Sequence, residues 1–216
     1  MASTQSSRTS TESSSTATRA TRTATVERHT GETDVSLSIA LSGTGAGTRA
    51  SGVGFLDHML DLLARHARID LDVSSSGDLQ TGPHHTAEDT AIVLGQALDA
   101  ALGDRGGIMR FGSATIPMDE ARASCAIDLS GRPFTLFEAQ LPPGSTGGFD
   151  HELTEEFFRA FANAAKLTLH VRVEAGSNAH HMIEAAFKAF ARALREAVAI
   201  DPSEEGVPST KGTLTS

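Results

Sequence analysis

The chain contains a single cysteine, Cys125. It cannot form an internal disulfide or build a thiolate cage, so any bound metal must be held by nitrogen and oxygen. A reducing, cytoplasmic compartment is the default. No apolar run approaches the roughly 18 residues that would suggest a membrane span. Positive charge is scarce, with 18 basic against 27 acidic residues and a formal charge of −9. A nucleic-acid surface needs clustered Lys and Arg, so nucleic acid is excluded as a partner. The first 22 or so residues hold almost nothing apolar and are expected to be disordered. They lack the apolar core of a secretory signal. Their Arg, Ser and Thr content resembles a transit peptide, which would change the compartment to a plastid. No G-x-S-x-G and no Walker loop is present, and the glycines at Gly43–Gly47 lack the helix of a dinucleotide site.

What is present is a doublet that occurs twice, His84-His85-Thr86-Ala87-Glu88 and His180-His181-Met182-Ile183-Glu184. Each repeats His-His-x-x-Glu and opens an Ala-rich stretch that reads as helix. Four imidazoles and two carboxylates in one small domain point to metal, more than one ion.

The surrounding periodicities organise the chain. Val35, Leu37, Ile39 and Leu41 alternate as a strand, followed by an expected hairpin turn at Gly43–Gly47. Apolar residues from Phe55 to about Ala67 fall at helical spacing. Ile69, Leu71 and Val73 alternate as a strand, with a turn expected at Ser74–Gly77. The first doublet then opens a helix to about Leu102. Two or three strands follow between Arg110 and Ala139, broken by Gly131-Arg132-Pro133.

The same order then returns: a helix at Leu153–Ala165, a strand from Leu167 to Val173, a turn at Gly176, and a helix to about Val198. Asp57-His58 aligns with Glu155-Glu156 at an offset of 98 residues, and the strands keep it. The doublets lie 96 apart, so the second turn is two residues shorter. The fold expected is α+β, internally duplicated, each half a sheet with helices packed on one face. The halves span about 23–105 and 106–200 of one domain, and 201–216 form an extended tail.

On a helix, His84 and Glu88 share one face, as do His180 and Glu184. The second histidine of each doublet points about 100° away, so a doublet serves two ions or bridges two subunits. Imidazole with carboxylate suits manganese, iron, zinc or nickel rather than calcium. His58 is a further candidate, and its duplicate is Glu156, with His151 a rival for that place. Arg110, Arg132, Lys188 and Lys211 suggest an anionic substrate, phosphate being the obvious choice. His29, His66 and His170 carry weaker signals.

Six motifs in order make the chain resemble the imidazoleglycerol-phosphate dehydratases of histidine biosynthesis. They are Phe55-Leu56-Asp57-His58-Met59-Leu60, His84-His85-Thr86-Ala87-Glu88-Asp89-Thr90, Ile116-Pro117-Met118-Asp119-Glu120, Asp128-Leu129-Ser130-Gly131-Arg132-Pro133, Asn178-Ala179-His180-His181 with Glu184 and Phe187-Lys188, and Ser209-Thr210-Lys211-Gly212. The resemblance runs from about Val26 to Leu214. It implies two manganese ions per site and a large cubic homo-oligomer of about 24 subunits with metals at subunit contacts. It assigns ligand roles to His58, His84, His85, Glu88, His180, His181 and Glu184, with Glu156 standing where many members have His. It places substrate phosphate near Arg110, Arg132, Lys188, Ser209, Thr210 and Lys211. Glu32 and His66 match positions near the substrate and are the catalytic candidates, Glu32 for proton transfer.

The reaction implied is loss of water from D-erythro-imidazoleglycerol phosphate, giving imidazoleacetol phosphate through a metal-stabilised imidazolate. A dinuclear metallohydrolase of a phosphorylated substrate is the alternative, and a non-catalytic assembly protein stapled by metal is a third reading.

Overall fold

A computed structural model describes residues 22–214. The Ser/Thr-rich head, apart from Arg22, lies outside the described residues, as do Thr215 and Ser216. The first half runs β1 (Thr23–His29), β2 (Thr33–Ala40), β3 (Arg49–Ala50), α1 (Gly54–Ala67), β4 (Asp70–Gly77) and α2 (His84–Leu102). The second runs β5 (Phe111–Met118), β6 (Ala121–Asp128), β7 (Phe134–Glu138), a small hairpin of β8 (Ser145–Thr146) and β9 (Phe149–Asp150), α3 (Leu153–Ala165), β10 (Thr168–Ala175) and α4 (Ala179–Ala197).

The two main sheets have the orders β1-β2-β4-β3 and β5-β6-β10-β7, the same path drawn twice. In both, the last-formed strand joins the second antiparallel and the third in parallel. The duplication reaches single residues. Arg68 and Lys166 end α1 and α3 in the left-handed conformation, at φ 55° and 52°. In each case the following N–H, from Ile69 or Leu167, reaches back to the carbonyl of Ala64 or Ala162.

Alternation decides which side of each sheet is covered. Val35, Leu37 and Ile39 of β2 are buried while their neighbours are not, and Ala123, Cys125 and Ile127 of β6 repeat the pattern. All four helices lie between the sheets, α2 against β1 and β2, α4 against β5 and β6. The other two cross over. α1 of the first half packs on α4, and α3 of the second half packs on α2. Close crossing needs small residues: a Cβ on Gly95 would stand 2.5 Å from the Phe161 carbonyl oxygen. A layer of phenylalanines, including Phe157, Phe158, Phe161, Phe187 and Phe190, fills the space between α3 and α4 with rings 4.8–5.8 Å apart.

Two expectations fail for stated reasons. Gly43–Gly47 is no hairpin turn, because β4 lies between β2 and β3. The loop instead wraps the Asp70 carboxylate, whose Oδ1 accepts from the N–H groups of Thr44 (2.8 Å), Gly45 (3.1 Å) and Ala46 (2.9 Å). Ser74–Gly77 is no turn either. β4 continues to Gly77 along β2, and the chain reverses through a 3-10 turn at Leu79–Thr81. Strand β1 carries only half-buried residues on its covered face, which is why its sequence gave no clear alternation of apolar groups.

The tail is fastened along the second half rather than loose. Gly107 donates to Gly206 O at 2.7 Å, and Leu214 is buried. Arg105, with no exposed surface, binds the carbonyl oxygens of Leu129, Ala165, Lys166 and Leu214, and the Asp99 carboxylate at 2.5 Å. No helix among the described residues is long and apolar enough to cross a membrane.

Candidate metal centre

The second doublet sits on the first turn of α4. That turn is set by Asn178, whose side chain accepts from the N–H groups of His180 (2.9 Å) and His181 (3.4 Å). His180 and Glu184 lie one turn apart, with Nε2 to Oε2 at 3.1 Å. Because α1 packs on α4, His58 arrives from the other half and places its Nε2 3.4 Å from the same oxygen. His58, His180 and Glu184 each offer a ligand atom, and all three atoms lie within 4.8 Å of one another. Two imidazole nitrogens and a carboxylate oxygen are a donor set that fits manganese.

Glu184 is buried, and its second oxygen takes the Lys188 ammonium at 2.6 Å. Burial alone would raise its pKa. The hydrogen bond and charge of Lys188, with hydrogen bonds from His58 and His180, outweigh burial and leave it below the ordinary glutamate value. Phe55 closes one side, its ring 5.0 Å from that of His180. His181 points elsewhere, its ring at 81° to that of His180.

The first doublet opens α2 after Pro83 without a side-chain cap. His84 and Glu88 are 3.8 Å apart, and His84 and His85 diverge at 83°. Glu156, the duplicate of His58, lies on α3, which packs on α2. Its Oε2 accepts from Arg159 at 3.2 Å. His151 has no ring nitrogen to spare: Nδ1 donates to Pro142 O (2.7 Å) and Nε2 accepts from the Thr146 hydroxyl (2.9 Å). Its duty is to hold the β8–β9 hairpin to the start of α3.

The second histidine of each doublet is gripped by a carboxylate outside its own helix. His85 Nδ1 lies 3.1 and 3.2 Å from the two Asp78 oxygens, and 3.7 Å from Glu32. His181 Nδ1 lies 2.7 Å from Glu120. The hydrogen bond to Asp78 raises the pKa of His85, and that to Glu120 raises the pKa of His181. Hydrogen bonds from His181 and from the Asn178 and Ser177 N–H groups pull Glu120 down to about 2. Neither Asp78 nor Glu120 was singled out from sequence. The position of Glu120 could have been, since it precedes its strand as Glu32 does.

His66 sits two turns beyond His58 on α1. Burial first, then the charges of Lys188, Arg192 and Arg65, depress its pKa and keep the ring neutral near pH 7. Arg110 is held by a two-point contact with Asp128 (2.7 and 3.1 Å) and donates to Pro208 O at 2.8 Å. It thus stands against the tail that carries Ser209, Thr210 and Lys211. Arg132 is exposed beside Gly131, whose missing Cβ makes room for the Leu214 carbonyl. Of the basic residues expected to hold substrate, Lys188 is the one seen against the His58 cluster, through Glu184. Cys125 is buried, and burial pushes its thiol up, away from the reactive thiolate form.

Residues 51–194 match the family of imidazoleglycerol-phosphate dehydratases. The chain belongs to that family. It is 55% identical over 190 residues to the imidazoleglycerol-phosphate dehydratase of Ruegeria pomeroyi, covering 88% of this chain and 97% of that protein. With the Moorella thermoacetica enzyme of the same name it shares 53% identity over 189 residues, 88% of this chain and 96% of the relative. Among solved structures, the Staphylococcus aureus dehydratase superposes with a TM-score of 0.75 at 40% identity, over 82% of this chain and 99% of that one. The Pyrococcus furiosus protein, in complex with (S)-C348, also gives 0.75, at 36% identity over 88% and 100% of the two chains. Membership makes the protein an enzyme of the dehydratase class, with the duplicated fold of its relatives.

Proposed function

We propose that the protein dehydrates D-erythro-imidazoleglycerol phosphate to imidazoleacetol phosphate in L-histidine biosynthesis, using two manganese ions per site. The observation that carries this reading is the cluster of His58, His180 and Glu184; the matching pair His84 and Glu88 lies 3.8 Å apart on the first doublet. When bound, manganese would supply Lewis acidity that eases removal of a proton from the imidazole side of the substrate. His58, His180 and Glu184 would hold one ion, and His84, Glu88 and Glu156 the other.

His85 and His181 face away from these groups, and each has its Nδ1 engaged, leaving Nε2 to reach a neighbouring subunit. That arrangement supports a homo-oligomer, of about 24 subunits on the family pattern, in which metals sit at subunit contacts. Glu32, exposed and 3.7 Å from His85, would accept the proton from the carbon beside the ring. His66, kept neutral by burial and by its basic neighbours, would offer a hydrogen bond to the leaving hydroxyl. Lys188, Arg110, Arg132 and the tail residues Ser209, Thr210 and Lys211 would hold the phosphate and fix the orientation of the glycerol arm.

The test is an assay of metal-free protein with imidazoleglycerol phosphate, before and after adding manganese. Manganese-dependent formation of an enolisable ketone without inorganic phosphate is the expected outcome. Release of phosphate would replace this reading with a metallohydrolase. Absence of any turnover would leave only a metal-stapled assembly.

A further inference from the structure

The hairpins β1–β2 and β5–β6 set Glu32 and Glu120 at one and the same station. Each glutamate is the last residue before the second strand, and each lies eight residues before the strand's end at Ala40 or Asp128. Those two end residues pair with the first residues of β4 and β10, Asp70 and Thr168, and the ladders agree in register as far as Val35–Ser75 and Ala123–Val173, beyond which a bulge in β10 shifts the second by one residue. Both glutamates also lie beside the second histidine of a doublet. Yet their contacts differ. Glu120 Oε2 meets His181 Nδ1 at 2.7 Å, whereas Glu32 stops 3.7 Å short of His85.

The connection leading into each doublet explains the difference. Between β4 and α2 the chain runs through Asp78 and a 3-10 turn, and Asp78 takes His85 Nδ1 with both oxygens. The shorter connection between β10 and α4 is Gly176-Ser177-Asn178, which contains no carboxylate. There Glu120 supplies one: its Oε1 accepts from the N–H groups of Ser177 (3.1 Å) and Asn178 (2.8 Å), and its Oε2 serves His181.

We propose that Glu120 and Asp78 are the positioning residues of the two outward histidines, and that Asp78 frees Glu32, the duplicate of Glu120, for proton transfer. A carboxylate only accepts, so Nδ1 of each ring carries a proton, and in the neutral ring, the form that binds metal, Nε2 carries the lone pair. That fixes both the tautomer and the ring direction before any ion arrives, which is how outer carboxylates tune histidine ligands. Within the chain the carboxylate nearest His181 Nε2 is Asp119, at 3.7 Å, too far for a hydrogen bond. The ligand atom is therefore left open. The inference rests on the proposed manganese reading. It gives the Ile116-Pro117-Met118-Asp119-Glu120 motif a task of its own.

The test is manganese uptake by the full chain, measured by competition with a chelating indicator, alongside turnover and thermal unfolding of the metal-free protein. Glu120→Gln and Asp78→Asn each weaken uptake about tenfold or more, the usual cost of losing an outer carboxylate. Glu32→Gln leaves uptake within about twofold and abolishes turnover. If Glu120→Gln misfolds, Glu120→Asp keeps the charge one methylene short and weakens uptake less than Asp78→Asn. A purely structural glutamate would lower the unfolding temperature and leave uptake unchanged. Unchanged uptake in Glu120→Gln, or equal weakening in Glu32→Gln, overturns the division of labour alone. A wild-type chain that takes up no manganese overturns both this and the proposed function.

Discussion

In the second half of the molecule a doublet has become a closed cluster, and in the first half the same pattern stays open. Glu184 is buried between His58, His180 and Lys188, while Glu88 keeps more than a third of its side chain exposed, 3.8 Å from His84. Lys188 is the difference. Its duplicate at the doublet's spacing is Ile92, which can neutralise nothing. A buried carboxylate is tolerable only when a cation and hydrogen-bond donors compensate for lost water, and Glu184 has them in Lys188 and His180 of α4 and His58 of α1. Likewise the third partner is His58 in one place, beside its cluster, and Glu156 in the other, turned to Arg159. One duplicated pattern thus gives a closed cluster in one place and an open pair in the other.

The comparison breaks most sharply if the two glutamates turn out equivalent. Glu184→Ala leaves Lys188 without its carboxylate in a mostly buried place and is expected to cost about 2–4 kcal/mol of metal-free stability. Glu88→Ala is expected to stay within about 0.5 kcal/mol, as exposed substitutions do. Denaturant unfolding of both variants checks this, and similar losses would end the distinction.

A finer test concerns the third partner. Glu156→Ala should weaken manganese uptake at one site about tenfold or more. His151→Ala should leave uptake alone and lower stability by about 1–3 kcal/mol, because two buried hydrogen bonds go with it. The opposite ranking would move the ligand to His151.

The smallest effect separates the halves by pH. Asp70 has no carboxylate counterpart, since Thr168 occupies its place in the second half. Hydrogen bonds from the Thr44 and Ala46 N–H groups hold its pKa below the ordinary 3.8. A depressed carboxyl pKa contributes stability that is present above 3.8 and is lost as pH falls through the folded value. Asp70→Asn should therefore lower the unfolding temperature by on the order of 2 °C at neutral pH, and the gap should close in strong acid. A gap constant down to pH 2 would show that the loop does not depend on the charge.

Much of this architecture was legible because it is periodic. The helix at Leu153–Ala165 has the bounds its apolar spacing demands, and the strands at Ile69 and Leu167 follow their alternation. The doublets, their offset and the pairing of His58 with Glu156 are properties of the string itself. Asp78 was not legible, and Glu120 was legible only as a motif position matching Glu32, because nothing in the spacing of an acidic residue says which imidazole it will meet. The Gly43–Gly47 loop misled for a related reason. Glycines mark where a chain can turn and not what it turns around, here the Asp70 carboxylate.

The sequence by itself determined the duplication, the helix faces and the chemistry available, because these depend on local periods of 3.6 and 2 residues and on side-chain type. Only the tertiary structure decided that α1 would cross to α4 and α3 to α2. That crossing brings His58 to Glu184 over 126 residues of chain and sets Glu156 on the helix that packs against the first doublet. Its cause is packing between two sheets, where glycine and alanine let helices approach and phenylalanine fills what remains. Such complementarity belongs to surfaces that exist only once both halves have folded.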